Sequence, residues 1–369
     1  MTVSKQHLDI LCNYHDDCVA GPVESLGSAG GFSGAAFWKV HGKNGDYCLR
    51  RWPKGYPTLE KLQFIHAVLW QANQEGFRKL PLPVETLEHL TFVSDREHYW
   101  QLEPWIRGEA DYASHPGSKR LVSAMVTLAE FHQAVRNFPL PATKGASSLL
   151  LNHEKGLLSW GEERFQRLEQ TIRARGMGEN EDRSEVCFLS DLSDSDAPQM
   201  AKEATIPFPL PARQKKMLEN ISLRILRNVR QLRQALLGKV VQCGNYAVAL
   251  QPCIRDIHAG HLFFVRNQVS GIIDFENLQA DNVATDVARL LGSLAENDPL
   301  LWVLGLTAYQ SVRRLTDPEL EILHTCKKSY VATTALRWLD YIYVQKNPVR
   351  CSAHLLRRLK NLETCLEYL

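Results

Sequence analysis

CIRDIHAGHLFFVRNQVSGIIDFEN, Cys253 to Asn277, is the stretch whose reading decides the fold. Its first half places Arg255, Asp256, His258 and His261 within seven residues around a glycine. Its second half predicts a hairpin turning at Asn267-Gln268, with Asp274 after the second arm. Asp274 follows Asp256 by eighteen positions, so the pattern puts both carboxylates at the ends of neighbouring strands, facing one cleft. Two chemistries use such a set. Imidazoles spaced H-x-x-H, as His258 and His261 are, can grip Zn²⁺ together with Cys253 or Asp274. Phosphoryl transfer to a hydroxyl instead needs one carboxylate at the attacking oxygen and another on the divalent metal that bridges the phosphates, with a second metal ligand close by.

Working outward, the chain has 369 residues, 44% of them hydrophobic and 23% charged, which suits two lobes with a sizeable core. The net charge of +2 and the absence of any basic run of five give no signal for nucleic acid or an anionic membrane surface. Nine cysteines, an odd number without regular spacing, read as reduced thiols. The opening MTVSKQHLDILCNYHDDC lacks the basic flank and apolar run of a signal peptide, and no window has the apolar length of a membrane span, so the expected location is cytoplasmic.

The helical spacing of Leu8, Leu11 and Cys12 predicts an opening helix over about residues 4–16. AAFWKVHG and YCLRRWP flank Asn44-Gly45, a hairpin signal, and HLTFVSDREHYWQLEPW predicts a second hairpin at Asp95. Between them, Leu62, Ile65, Val68 and Leu69 mark one face of a helix. After Glu103 the pattern turns helical. The expected organisation is a nucleotide-binding lobe over 1–103, a linker at 104–107 and a helical catalytic and substrate lobe over 108–369. Residues 176–213, rich in acid, serine and proline without a sustained period, read as a mobile insertion.

The loop R-D-I-H-A-G-H and the later D-F-E share the spacing of kinase catalytic and metal-binding motifs. At Asp256, His258 and Asp274 the chain resembles the aminoglycoside phosphotransferase and choline kinase family, whose loop has the form H-G-D-x-H-x-x-N followed by I-D-F or I-D-W. DNVATDVARLL resembles the family's segment ending in D-L-A, where Asp286 would anchor the loop backbone. The resemblance implies an α+β, bilobal, protein-kinase-like fold, with a small antiparallel-sheet N-lobe and a larger, mostly helical C-lobe. It further implies ATP, a divalent ion, and a small molecule with an alcohol group as acceptor. Asp256, Arg255 and His258 are then the catalytic candidates, and Asp274 and His261 the metal candidates. Two departures stand out: Ile254-Arg255 replaces His-Gly, and His261 stands where the family has a metal-binding Asn. Imidazole is a softer ligand than an amide oxygen, which sets Mn²⁺ beside Mg²⁺.

LGSAGGFSGAAFWKV places Gly27, Gly30, Gly31, Ser33 and Gly34 between two expected strands, where glycines let backbone N–H groups approach phosphates. Strand alternation puts Cys48 and Arg50 on one face, and Arg50 matches the family's phosphate-reaching strand cation. An acidic partner for it is missing from the following helix, which carries Glu60 too early and His66 at its centre. The linker implies that Glu103, Pro104 and Trp105 hold the base through their backbone, and Glu109 and Asp111 stand where a cationic acceptor could be met. The competing readings are a catalytically impaired nucleotide-binding protein and a metal-dependent hydrolase using His258 and His261.

Overall fold

A computed structural model of the chain describes residues 5–27, 34–177, 212–296, 298–344 and 353–367. Gly30, Gly31 and Ser33 lie outside the described residues, as does residue 178–211 of the expected insertion, whose two ends are helical. In chain order the elements are α1 (Lys5–Leu11), β1 (Val23–Gly27), β2 (Ala36–Gly42), β3 (Gly45–Arg51), α2 (Leu59–Gln74), β4 (Val93–Asp95), β5 (His98–Pro104) and α3 (Ser118–Ala134). There follow β6 (Lys144–Gly145), α4 (Ser148–Leu158), α5 (Glu162–Met177), α6 (Ala212–Gly244), β7 (Val248–Ala249), β8 (Gln251–Cys253), β9 (Leu262–Val265), β10 (Gln268–Ile272) and β11 (Gln279–Asp281). The chain continues through α7 (Val283–Ala295), α8 (Pro299–Gln310), α9 (Asp317–Tyr343) and α10 (Ala353–Glu367).

Two compact units result. Among the described residues, the first draws on those of 5–141 and 251–314; the second, on 142–177, 212–250 and those of 315–367, is mostly helical, with α6 packed along α4, α5, α9 and α10. All residues of the expected site that the structure describes fall in the first unit. Its five-stranded antiparallel sheet runs in the order β1-β2-β3-β5-β4. The alternation of Trp38 and Val40 on β2, Leu49 on β3, and Trp100 and Leu102 on β5 makes one face apolar, and Ile10, Leu11 and Tyr14 cover it. Each such large side chain contributes about 1.5–3 kcal/mol by leaving water. The opposite face carries Cys48, Arg50, Gln101 and Glu103, because the register pairs Arg50 with Gln101 and Cys48 with Glu103. Helix α2 packs its expected stripe of Leu62, Ile65, Val68 and Leu69, all buried, and Thr58 caps it by accepting the Lys61 N–H at 3.2 Å.

The hairpins form with small shifts. Gly42 pairs with Gly45, so the first turn is Lys43-Asn44, one residue early; Val265 pairs with Gln268, so the third is Arg266-Asn267, also one early. The opening helix stops at Leu11, short of 16, and a 3-10 turn at Asp16–Cys18 follows. One expectation changes more. Strands β8 and β10 are not neighbours: β8 pairs with β11, and β9 with β10, in separate ladders. Loops rather than a shared sheet bring the two aspartates together.

Candidate active site

The loop after β8 is held from below. Asp286, fully buried in the first turn of α7, accepts the Ile254 N–H and the Arg255 N–H, each at 2.7 Å. His132 and Tyr309 complete a buried chain, with His132 at 3.2 Å from the Asp286 carboxylate and 2.8 Å from the Tyr309 hydroxyl. Two non-glycine residues of the site have left-handed backbone, Arg255 at φ 65° and Asp274 at φ 66°. Such positions are costly and persist where surrounding bonds over-determine them. Here the Asp286 bond holds Arg255.

Asp256 follows, 6% exposed. Arg289 of α7 donates to its Oδ1, and Asn277 Nδ2 lies 3.5 Å from its Oδ2, so both oxygens are held. Arg255 points elsewhere: its guanidinium goes to Gln279 and Asp281 of β11, so its part is to tie the loop to that strand. His258 shapes the loop, accepting the Gly260 N–H at 3.1 Å with its ring 3.7 Å from that of His261.

Asp274 lies beside His261. Ile273 N donates to His261 O at 3.0 Å, and His261 Nε2 is 3.4 Å from Asp274 Oδ2. Burial lowers the His261 pKa and Arg289 adds to this, against the pull of Asp274, so the ring is held neutral. Asp274 Oδ1 is buried and makes no hydrogen bond among the described residues. Two residues on, burial and the Asp274 carboxylate raise the Glu276 pKa, with Arg50 opposing. A buried carboxylate oxygen without a donor, a neutral imidazole and a second, repelled carboxylate fit a divalent cation.

Arg50 is 7% exposed, lies over the Trp52 ring at 3.5 Å and donates to Glu276 Oε2 at 2.7 Å. The acid missing from α2 is therefore supplied by the segment after Asp274. His66, the central residue of α2, instead faces Thr91 and Gln101. Lys61 in the first turn of α2 donates to the Leu278 carbonyl; burial, then Arg255, brings its pKa down to about 8. No spacing rule exposes Glu276, Lys61 or Arg289, since each acts across large sequence separations, although Glu276 and Arg289 stand inside the motifs that mark Asp274 and Asp286.

The linker is pinned to the same region. Glu109 and Phe264 exchange backbone bonds of 3.1 and 3.0 Å, and Gly108, at φ 96°, allows it: a Cβ there would stand 2.2 Å from Phe264 O. Of the linker residues expected to hold a base, Trp105 gives its N–H to Asp46 O at 2.9 Å and has Lys39 over its ring at 5.0 Å, while Pro104 has no N–H. Glu103 is partly exposed on the face shared with Arg50. Gly34 has φ 75°. Asp111 is committed to Arg120 and His115, which leaves Glu109 as the exposed acid there.

The hydrolase arrangement is not assembled. Cys253 donates to Asp281 O at 3.3 Å, and burial holds its thiol well above the ordinary range. The donor atoms that do converge among the described residues belong to His132, Cys253 and Asp286. His132 and Asp286 there are already engaged in the bonds that support the loop. The cysteines among the described residues are free thiols, and no helix among them is long and apolar enough to cross a membrane.

Comparison with known proteins places this geometry. No curated protein matches the chain by sequence. Among solved structures, an aminoglycoside phosphotransferase from Alicyclobacillus acidocaldarius is similar over 100% of this chain and 98% of its own, at 16% identity and a TM-score of 0.59. A spectinomycin phosphotransferase solved with ADP and spectinomycin covers 100% of both chains at 13% identity and a TM-score of 0.56. A microcompartment-associated aminopropanol kinase covers 91% of this chain and 88% of its own, at 12% identity and a TM-score of 0.51. At such identities the likeness carries the fold alone, and that fold is kinase-like, α+β and bilobal as expected. A family profile described as phosphotransferase enzyme family matches residues 27–321, most of the chain. With that match extending over the loop of Asp256, the segment of Asp274 and the strand of Arg50, the chain belongs to the phosphotransferase enzyme family.

Proposed function

We propose that this chain transfers the γ-phosphoryl group of a nucleoside triphosphate, ATP being the donor the family resemblance implies, to a hydroxyl of a small molecule. The observation that carries the reading is a pair of aspartates with opposite surroundings, Asp256 buried and Asp274 partly exposed with one oxygen buried. Asp256 is held by cationic and amide donors, whereas Asp274 keeps an undonated oxygen beside His261 and Glu276.

In this reading Asp256 orients the acceptor hydroxyl and takes its proton as the oxygen attacks phosphorus. The bond from phosphorus to the bridging oxygen breaks, and the nucleoside diphosphate leaves. Arg289 and Asn277 keep the Asp256 carboxylate from rotating, and Arg255 and His258 shape the loop around it. Asp274 and His261 would hold Mg²⁺ or Mn²⁺, which when bound neutralises phosphate charge. Arg50, with Gly30, Gly31, Ser33 and Gly34, would hold the phosphates, and Glu103 with Trp105 the base. The functional division is a nucleotide lobe over 1–103, a linker at 104–107 and a catalytic and substrate lobe beyond. A cytoplasmic setting goes with it. Structural neighbours named for spectinomycin and aminopropanol make amino sugars and amino alcohols the first acceptors to screen.

The test is nucleoside diphosphate release across a panel of hydroxyl metabolites, with Mg²⁺ and Mn²⁺ in parallel. Asp256→Asn should keep nucleotide affinity while turnover falls by about 10²–10⁴, the usual worth of a positioned base. Undiminished turnover in that variant removes Asp256 from the mechanism.

A further inference from the structure

From Glu103 to Trp105 the chain offers a nucleobase acceptors and no unspent backbone N–H, the next amide being that of Ile106. Trp52 N donates to Tyr99 O and Trp105 N to Asp46 O, both at 2.9 Å, in one continuous register with the pairs Arg50↔Gln101 and Cys48↔Glu103. Antiparallel ladders alternate bonded and non-bonded pairs, so the bonded phase fixed at both ends passes through Arg50/Gln101 and Cys48/Glu103. The Glu103 amide is thereby spent on Cys48 O. Pro104 has no N–H, and that of Trp105 goes to Asp46. From Glu103 to Trp105 there remain the Pro104 carbonyl, turned away from β3, and the Glu103 carboxyl.

A relay fixes that carboxyl. Trp52 Nε1 donates to Gln101 Oε1 at 2.6 Å, and His66 Nε2 lies 3.1 Å from the same oxygen. The Gln101 amide nitrogen is thus turned to Glu103, where it donates to Oε1. Gln101 and Glu103 share the face that carries Arg50, and Arg50 reaches Glu276 beside the expected metal residue.

We propose that the Glu103 carboxylate reads the base and selects a purine edge with two adjacent N–H donors, that of guanine, so that GTP is preferred to ATP. The proposal rests on the phosphotransferase reading and goes beyond it. Guanine presents N1–H and N2–H₂ side by side, and a carboxylate accepts two parallel N–H bonds. Adenine sets N6–H₂ beside N1, whose lone pair would face a carboxylate oxygen. Burial raises the Glu103 pKa to about 7, against the opposing influence of Arg50 and the Gln101 bond and with a further rise from Asp274, so the group is ionised at pH 8.

The experiment is calorimetric titration of the full chain at pH 8 with GTP and with ATP, each with Mg²⁺, for the parent, Glu103→Gln and Glu103→Ala. The parent should bind GTP about ten- to hundredfold more tightly than ATP, the usual discrimination of one bidentate pair. Glu103→Gln offers one acceptor and one donor, complementary to adenine, and should reverse the preference; Glu103→Ala should abolish it. Equal affinities in the parent, or equal weakening of both nucleotides by Gln, overturn the proposal and leave the phosphotransferase reading standing, with the next amide, Ile106, as the base's donor. Failure of the parent to bind either nucleotide overturns both.

Discussion

Replacing Asp286 by Asn tests what holds the loop of Asp256. The carboxylate is fully buried and accepts two backbone N–H bonds at 2.7 Å, from Ile254 and Arg255. Bonds of this kind to a charged acceptor contribute about 1.5–3 kcal/mol each. Asn keeps one acceptor oxygen and turns an NH₂ toward the other N–H, which is then buried without a partner at a cost of about 1–3 kcal/mol. The surviving bond becomes a neutral one, weaker by about 1 kcal/mol. Removing a buried charge returns part of this, so the net loss should be about 2–4 kcal/mol. A second effect is local. Arg255 sits at φ 65°, a conformation costing an L-residue about 1–2 kcal/mol, and the Asp286 bond holds it there. Released, the loop relaxes and Asp256 moves with it. Urea denaturation should show a lower midpoint at unchanged slope, and kinetics a fall in kcat with little change in nucleotide Kd. An Asn variant with the parental midpoint and full kcat would show that the loop is held by other means.

Two further perturbations read the small sheet. Burial brings the His66 pKa down to about 4, so the fold holds the ring neutral while the unfolded chain binds a proton near 6.5. Stability is therefore intact above pH 6.5 and falls as pH drops toward 4, by about 3 kcal/mol over that window. Denaturation at pH 7.5, 5.5 and 4.5 should show this acid limb flattened in His66→Gln, and an equally steep limb in the variant refutes the assignment. Glu276→Ala strands the Arg50 guanidinium, 7% exposed, at a cost of about 3 kcal/mol. Pairing it with Arg50→Met should cost less than the two single changes added, and strict additivity of the melting shifts would deny the ion pair any energetic weight.

What the sequence disclosed follows the range of the interactions. Helix α2 was legible because burial repeats every three or four residues at Leu62, Ile65, Val68 and Leu69, and the hairpins because turn residues act locally. Asp256 and Asp274 were legible because the loop and the segment after β10 each fit a short motif. The pattern sets them at the ends of neighbouring strands, yet β8 and β10 belong to different ladders, and pairing partners are set by tertiary packing that a strand pattern does not encode. The direction of Arg255 is hidden for a related reason. Sequence places it beside Asp256, but a left-handed backbone turns its side chain toward Gln279 and Asp281.

The partner of Arg50 shows the same limit and carries a mechanistic consequence. The sequence pattern calls for an acid at the middle of α2, where His66 stands; Glu276 provides it across 226 positions of sequence. The helix supplies a cation in return, since Lys61 reaches the Leu278 carbonyl. The segment following Asp274 is thus gripped at two points two residues apart, by a guanidinium from β3 and an ammonium from α2. Asp274 itself has left-handed backbone at φ 66°, a region that Asp adopts more readily than most residues but still at a cost. Anchors at Glu276 and Leu278 on one side and the Ile273 bond to His261 O on the other give the over-determination that such a conformation requires. Whatever loosens Arg50 or Lys61 should then be felt at Asp274, so β3 and α2 together set the backbone of the residue proposed to hold the metal.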